Sequence, residues 1–277
     1  MKKLTAIALF ATLLATPMMA ASITWDAGDV TAASALVNPA NWSNNTAPAG
    51  WASGDIGTIH NAAIDNVGSI VNWNPTQSTA LYLTGDTSLK GTGDATFAKL
   101  VGTTVDIHFQ DTASLTFGGD FRVGEGNNTG VFNLYIQDSA TINMDAAVGD
   151  VWMTQRESHT FQSGGTINVA RFIVNHSTAT HEFSGGTINM LISDAGVFLP
   201  RGNFNFIGTG GTVTQVGDHT AWYESLVSNT NATGTNNNHI QIGGVTTSAL
   251  DLNKFNISYS AGTGLTTFEL VPEPATM

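Results

Sequence analysis

The chain has 277 residues, 9 Lys or Arg against 21 Asp or Glu, and a formal net charge of −12. That balance excludes nucleic acid as the expected partner, because phosphate binding needs a basic stripe. The lack of any cysteine excludes a disulfide framework, thiolate metal sites and a lipid-modified cysteine.

Residues 1–20 have the pattern of a secretory signal peptide. Lys2 and Lys3 form the charged start, Leu4 to Ala15 the apolar stretch, and Pro17 precedes small residues near Ala20-Ala21. The apolar run is shorter than the roughly 20 residues a membrane span needs. Export is therefore expected. Losing the two lysines leaves 7 basic against 21 acidic residues, a net charge of −14. Residues 22–75 hold Trp25, Trp42, Trp51 and Trp73 among turn-rich stretches. They are expected to form an N-terminal cap whose aromatic bulk closes a repeat core. The same four rings are candidates for carbohydrate contact.

Residues 76–216 carry a repeated phrase, plainest as Ser163-Gly164-Gly165-Thr166-Ile167-Asn168 and Ser184-Gly185-Gly186-Thr187-Ile188-Asn189. Looser copies place its opening Ser or Thr at 114, 141, 166, 187 and 212, with spacings of 27, 25, 21 and 25. A period of that size marks a solenoid whose units bury apolar surface only against their neighbours. Stacked, the copies give an aliphatic column (Leu115, Ile142, Ile167, Ile188, Val213). A second apolar column, Phe117, Met144, Val169 and Met190, ends in Gln215. Ser, Thr and Asn occupy the alternate positions, which is strand periodicity with one buried face. Asn143, Asn168 and Asn189 are placed to form an amide ladder. Gly164-Gly165, Gly185-Gly186 and Gly210-Gly211 sit where the chain must turn. Earlier, Ser69-Ile70-Val71 and Ser88-Leu89-Lys90 read as degenerate coils.

Two further strand sets complete each period. One holds Phe121 to Val123, Val148 to Met153, Arg171 to Val174 and Val197 to Leu199; the other holds Phe132 to Ile136, His159 to Phe161, Glu182-Phe183 and Phe204 to Phe206. The expected fold is all-β, a parallel β-helix of three short strands per coil; the alternative is an antiparallel β-sandwich. Residues 217–240 read as a polar loop, and Ile240 to Ile242, Leu250 to Ile257 and Thr266 to Val271 as strands of a C-terminal cap over 217–270.

Chemistry is sparse in this pattern. His159 and His181 each precede an aromatic in what reads as the same repeat strand, with Glu157 and Glu182 near, so a metal pair is conceivable. No close-spaced ligand motif backs it, and a surface polar ladder is the plainer reading. The acids are scattered in turns, and Arg122, Arg156, Arg171 and Arg201 are spread over four coils. Nothing by spacing resembles the paired carboxylates of a glycosidase. No cofactor is implied.

The chain closes on Val271-Pro272-Glu273-Pro274-Ala275-Thr276-Met277. This resembles the opening of the PEP-CTERM sorting signal of Gram-negative bacteria, a motif that continues into an apolar helix and an Arg-rich tail. Residues 271–277 are read as a truncated form of it, without that helix as a transient membrane anchor. Trp25-Asp26, Asn41-Trp42, Pro48 and Gly54-Asp55 are similar to the start of autotransporter-like β-solenoid members. The resemblance implies sorting to the envelope by an exosortase, and association with exopolysaccharide and biofilm. The expectation is a non-enzymatic cell-surface or extracellular-matrix protein. A carbohydrate-binding or adhesin module is the alternative, and a polysaccharide lyase or hydrolase the third reading.

Overall fold

The structure, a computed structural model, describes residues 20–26, 36, 38–64, 70–73, 76–98, 102–125, 130–144, 151–155, 157–194, 196–228 and 239–272. The signal-peptide residues 1–19, Ser69, Arg156 and the sorting residues Glu273 and Pro274 lie outside them. The fold is a parallel β-solenoid of triangular section, as the repeat predicts. Its first face stacks Ser22–Thr24, Ile56–His60, Thr79–Thr84, Thr104–Phe109 and Val131–Ile136, then the first halves of three long strands, and last His239–Ile242. The repeat face stacks Ala63–Ile64, Ser88–Lys90, Ser114–Phe117, Thr141–Met144 and the second halves of the same long strands. The third face is a 6-stranded parallel sheet running from Ile70–Trp73 to Phe198–Pro200.

The repeat columns pair residue for residue as their spacing requires. Thr141, Ile142 and Asn143 lie opposite Thr166, Ile167 and Asn168, which lie opposite Thr187, Ile188 and Asn189. Leu115, Ile142, Ile167, Ile188 and Val213 are all fully buried. Ser88-Leu89-Lys90 joins this column, whereas Ile70 and Val71 belong to the 6-stranded sheet.

Three strands per coil hold only for the earlier turns. There the corner between the first and repeat faces is a left-handed residue, Asn61, Asp111 or Asp138, at φ 52°, 56° and 53°. Their side chains tie successive coils: Asp111 accepts from Gly85 N at 2.9 Å, and Asp138 from Asp111 N at 3.1 Å. In the later turns the two strands fuse into one bent strand, Ser158–Val169, Thr180–Met190 and Asn203–Val216. The Gly-Gly pairs are the bends. Gly186 has φ +88°, and a Cβ there would sit 2.2 Å from Gly164 O and 2.5 Å from Gly165 O. Gly186→Ala is therefore expected to cost more than about 2 kcal/mol, strain plus a backbone clash. Gly243→Ala, at φ +55° with nothing within 4 Å, should cost about 1 kcal/mol. Thermal unfolding of the two variants checks the contrast; equal losses would show that the coils do not close up at the Gly-Gly bend.

Both ends are covered. At the N-terminal end Trp42 and Trp51 are buried, with Trp25 packed beside them. At the C-terminal end the expected loop over 217–240 contains a helix, Thr220–Val227, that buries Tyr223, Leu226 and Val227. The hairpin Phe255–Ser260 and Leu265–Leu270 then pairs antiparallel to the last long strand. Phe268 packs on Phe206, Phe198 and Tyr223. Leu250, expected in a strand, lies in the 3-10 helix Ala249–Lys254 and is 88% exposed.

Candidate functional site

The tryptophans fill the cap. Trp42 meets Trp25 and Trp51 edge-on, with centroids 5.2 and 4.9 Å apart. Its indole N–H donates to Leu36 O at 3.0 Å, and that of Trp51 to Thr46 O at 3.1 Å. Trp51 lies over Gly57, where a Cβ would come within 2.3 Å of the ring. Rings enclosed this way present no face to a sugar, so Trp42 and Trp51 are structural. Trp25 is partly buried in the same cluster. Trp73 ends its strand, and its side chain is outside the described residues. At the other end Val271 and Pro272 leave the last strand, with Val271 N donating to Lys254 O at 2.8 Å.

Neither the histidine metal pair nor the plainer surface ladder of histidines forms. His159 lies opposite Thr180, and His181 opposite Thr160, so the two imidazoles point to opposite sides of the sheet. His159 faces outward and half-exposed, while His181 is fully buried. Burial holds His181 neutral and lowers its pKa to about 3. Among the described residues no group of three or more His, Cys, Asp or Glu is close enough to hold a metal ion. The three described arginines are engaged in ion pairs and with one amide. Arg122 reaches Asp120 at 3.1 Å and Asp94 at 3.6 Å, Arg171 reaches Asp194 at 3.6 Å, and Arg201 donates to Asn175 Oδ1 at 3.3 Å.

Two outward strips remain, and both are ladders. On the repeat face, Asn168 Nδ2 donates to Asn143 Oδ1 at 2.7 Å and Asn189 Nδ2 to Asn168 Oδ1 at 2.8 Å. Thr214 Oγ1 continues the row by donating to Asn189 Oδ1 at 2.6 Å. Beside it runs the half-buried row Ser114, Thr141, Thr166, Thr187 and Thr212. The result is a flat grid of hydroxyls and amides at roughly 4.8 Å by 6.6 Å, set by the strand spacing and rise. The Gln215 that ends the apolar column is buried and satisfied. It donates to Asp194 O and accepts from the Tyr223 hydroxyl, each at 3.0 Å.

The second strip lies on the first face and had no sequence signal among the repeats. Tyr82, His108, Tyr135 and Phe161 stack coil on coil, centroids 4.1, 4.2 and 4.9 Å apart with planes within 13° of parallel. Beside them Asn133 Nδ2 donates to Asp106 Oδ1 at 2.7 Å, and Gln110 Nε2 to Gln137 Oε1 at 2.7 Å. Burial lowers the His108 pKa despite the nearby Asp106, and burial followed by Asp106 raises that of Tyr135. Because each ring covers its neighbour, the stack shows edges to solvent and keeps its faces for itself. It ties the early coils together and lacks the open ring face that sugar stacking uses.

Fold and surface together define a capped parallel β-solenoid with a neutral Thr/Asn face. Comparison with protein-family models, with curated proteins and with solved structures finds no match to this chain.

Proposed function

We propose that the protein is an exported component of the cell surface or extracellular matrix, acting by display and association rather than by catalysis. The observation that carries this reading is the continuous Thr/Asn face, whose hydrogen-bonding groups are held at fixed spacing by the stacked coils. The two rows themselves, Ser114 to Thr212 and Thr116 to Thr214, hold no charged side chain, and the carboxylate at their far end, Glu269, accepts from Thr212 Oγ1 at 3.1 Å. Such a surface suits the hydroxyl rows of a neutral polysaccharide and not an acidic one. Association with polysaccharide is the form of contact it favours. The signal-peptide pattern of residues 1–20 and Val271-Pro272-Glu273-Pro274 support export and exosortase-type sorting. Fractionation of the natural host with and without its exosortase tests the sorting separately.

The binding test uses the mature chain and a panel of neutral and acidic polysaccharides. Co-sedimentation with a neutral polymer of unchanged length is the expected result. The pair Thr166→Lys and Thr187→Lys, which breaks the neutral grid, should weaken that binding at least tenfold. Thr58→Lys, outward on the first face, should leave it intact. Shortening of the polymer would replace this reading with an enzymatic one, and no binding by any member of the panel would sink the polysaccharide contact.

A further inference from the structure

Among the described residues the interior of the solenoid is mostly apolar; Thr79 and Gln215 are buried polar side chains nearer its two ends, and the largest group of them gathers at one level. Along the first face the inward column reads Leu81, Ile107, Leu134, Thr160, His181, Phe204 and Ile240. Its neighbour reads Leu83, Phe109, Ile136, Gln162, Phe183, Phe206 and Ile242. In the strand Ser158–Val169, Ser158, Thr160 and Gln162 thus point inward where the preceding strand puts Phe132, Leu134 and Ile136. Thr154 joins them from the opposite sheet, buried and bonded to Trp152 Nε1 at 3.0 Å. His181 follows on the next coil. Thr154, Ser158, Thr160 and His181 are fully buried and Gln162 is 1% exposed.

Part of this polar level is closed by the protein itself. Gly124 has φ +71° and approaches so near that a Cβ would overlap Ser158 Oγ, and Gln162 Nε2 donates to Thr187 O at 3.3 Å. Four atoms are left without a partner among the described residues: Thr160 Oγ1, Gln162 Oε1, His181 Nδ1 and His181 Nε2. Thr160 and His181 are register neighbours on adjacent strands, about 5 Å apart, and Gln162 is two residues along the same inward face. Each unpaired buried polar atom costs about 1–3 kcal/mol, so four left bare would consume much of a domain's usual stability of about 5–15 kcal/mol.

We propose that this level encloses an internal water site, with water joining Thr160 Oγ1 and Gln162 Oε1 to the His181 ring. The complement of donors and acceptors balances. A neutral imidazole offers one N–H and one bare nitrogen, the hydroxyl offers both roles, and the Gln oxygen accepts. A water gives two protons and takes two, and buried waters average about 3 such bonds. Thr160 is a smaller side chain than Leu134, which holds the same register position one coil earlier. No charged side chain among the described residues shares these inward columns, so a neutral ligand fits and an ion finds no countercharge.

Water-to-protein nuclear Overhauser measurements on the wild-type chain at neutral pH test this. Cross-peaks from long-lived water to the His181 ring and to Thr160 are expected, and Thr160→Val should weaken or remove those at His181. The rival arrangement is dry, with the imidazole N–H aimed at the face of Phe172, whose ring plane is perpendicular to that of His181 with centroids 5.0 Å apart. An upfield-shifted His181 N–H without water contact would overturn the proposal. So would xenon-induced shifts at Leu134 and Phe204, because xenon enters dry apolar voids and not hydrated polar ones.

Discussion

His181→Phe should make the protein more stable at neutral pH and take away much of its sensitivity to acid. The imidazole is stacked on Phe204 at 5.0 Å with planes 11° apart, and it stands among Phe172 and Phe183. A phenyl ring keeps those contacts and removes two buried nitrogens with no partner among the described residues, a gain of about 1–3 kcal/mol. Water at those nitrogens would bring the gain toward the lower end. The pH dependence follows from proton binding. Folding lowers the His181 pKa to about 3, against about 6.5 in the unfolded chain. Between those values the unfolded state binds the extra proton, so stability falls as pH drops from about 6.5. At pH 5 the loss is about 2 kcal/mol, and at pH 3 about 4 kcal/mol. Both are upper figures if the site is hydrated. Urea unfolding of wild type and variant at pH 7.5 and pH 5 gives the test, with His181→Leu as a check against overpacking. If the gap between His181→Phe and wild type is the same at both pH values, His181 does not carry the acid response.

That histidine also shows where a sequence reading of this chain stops. The repeat face was legible because Ile142, Ile167 and Ile188 alternate with Thr and Asn, and each copy keeps the same parity. The first face was not. In Ser158-His159-Thr160-Phe161-Gln162 the apolar residue is Phe161, and alternation alone turns it inward beside Phe183. The ladder decides otherwise: Leu134 fixes Thr160 inward, so Phe161 joins the outer stack and lies opposite Glu182. The offset is absorbed at a bulge between Gln162 and Ser163. A one-residue slip exchanges the faces of a strand, which is why His159 and His181 looked like partners and are separated by the sheet. The aromatic strip was missed for a related reason. Tyr82, His108 and Tyr135 are alike only in being flat, and their columns appear once the register of Thr79–Thr84 and Thr104–Phe109 is known. The tryptophan cluster stood out in the sequence, but the strands Ile56–His60, Ala63–Ile64 and Ile70–Trp73, which lie within the cap expected over 22–75, stack as coils of the solenoid. Whether the rings faced a sugar or the core depended on Gly57, Leu36 and Thr46, residues with no signal of their own.

Adjacent residues of the repeat should respond very unequally to the same substitution. Ile167 is fully buried between Ile142 and Ile188. Ile167→Asp places a carboxyl where no donor waits, and the expected loss exceeds about 4 kcal/mol, enough to prevent folding. Asn168 is half-exposed on the outer grid. In Asn168→Asp the carboxylate still accepts from Asn189, but it faces Asn143 Oδ1 with no proton to give, a loss of about 1 kcal/mol. That smaller loss has its own pH signature. The protonated carboxyl can donate to Asn143 Oδ1, so the folded state favours it and the pKa of the introduced group rises above the unfolded value. Relative to wild type, Asn168→Asp should therefore recover stability as pH falls through that raised pKa, the reverse of the His181 effect. Circular dichroism and thermal unfolding of both variants decide the matter. Equal tolerance at 167 and 168 would remove the column assignment, and a deficit at Asn168→Asp that grows in acid would remove the amide ladder.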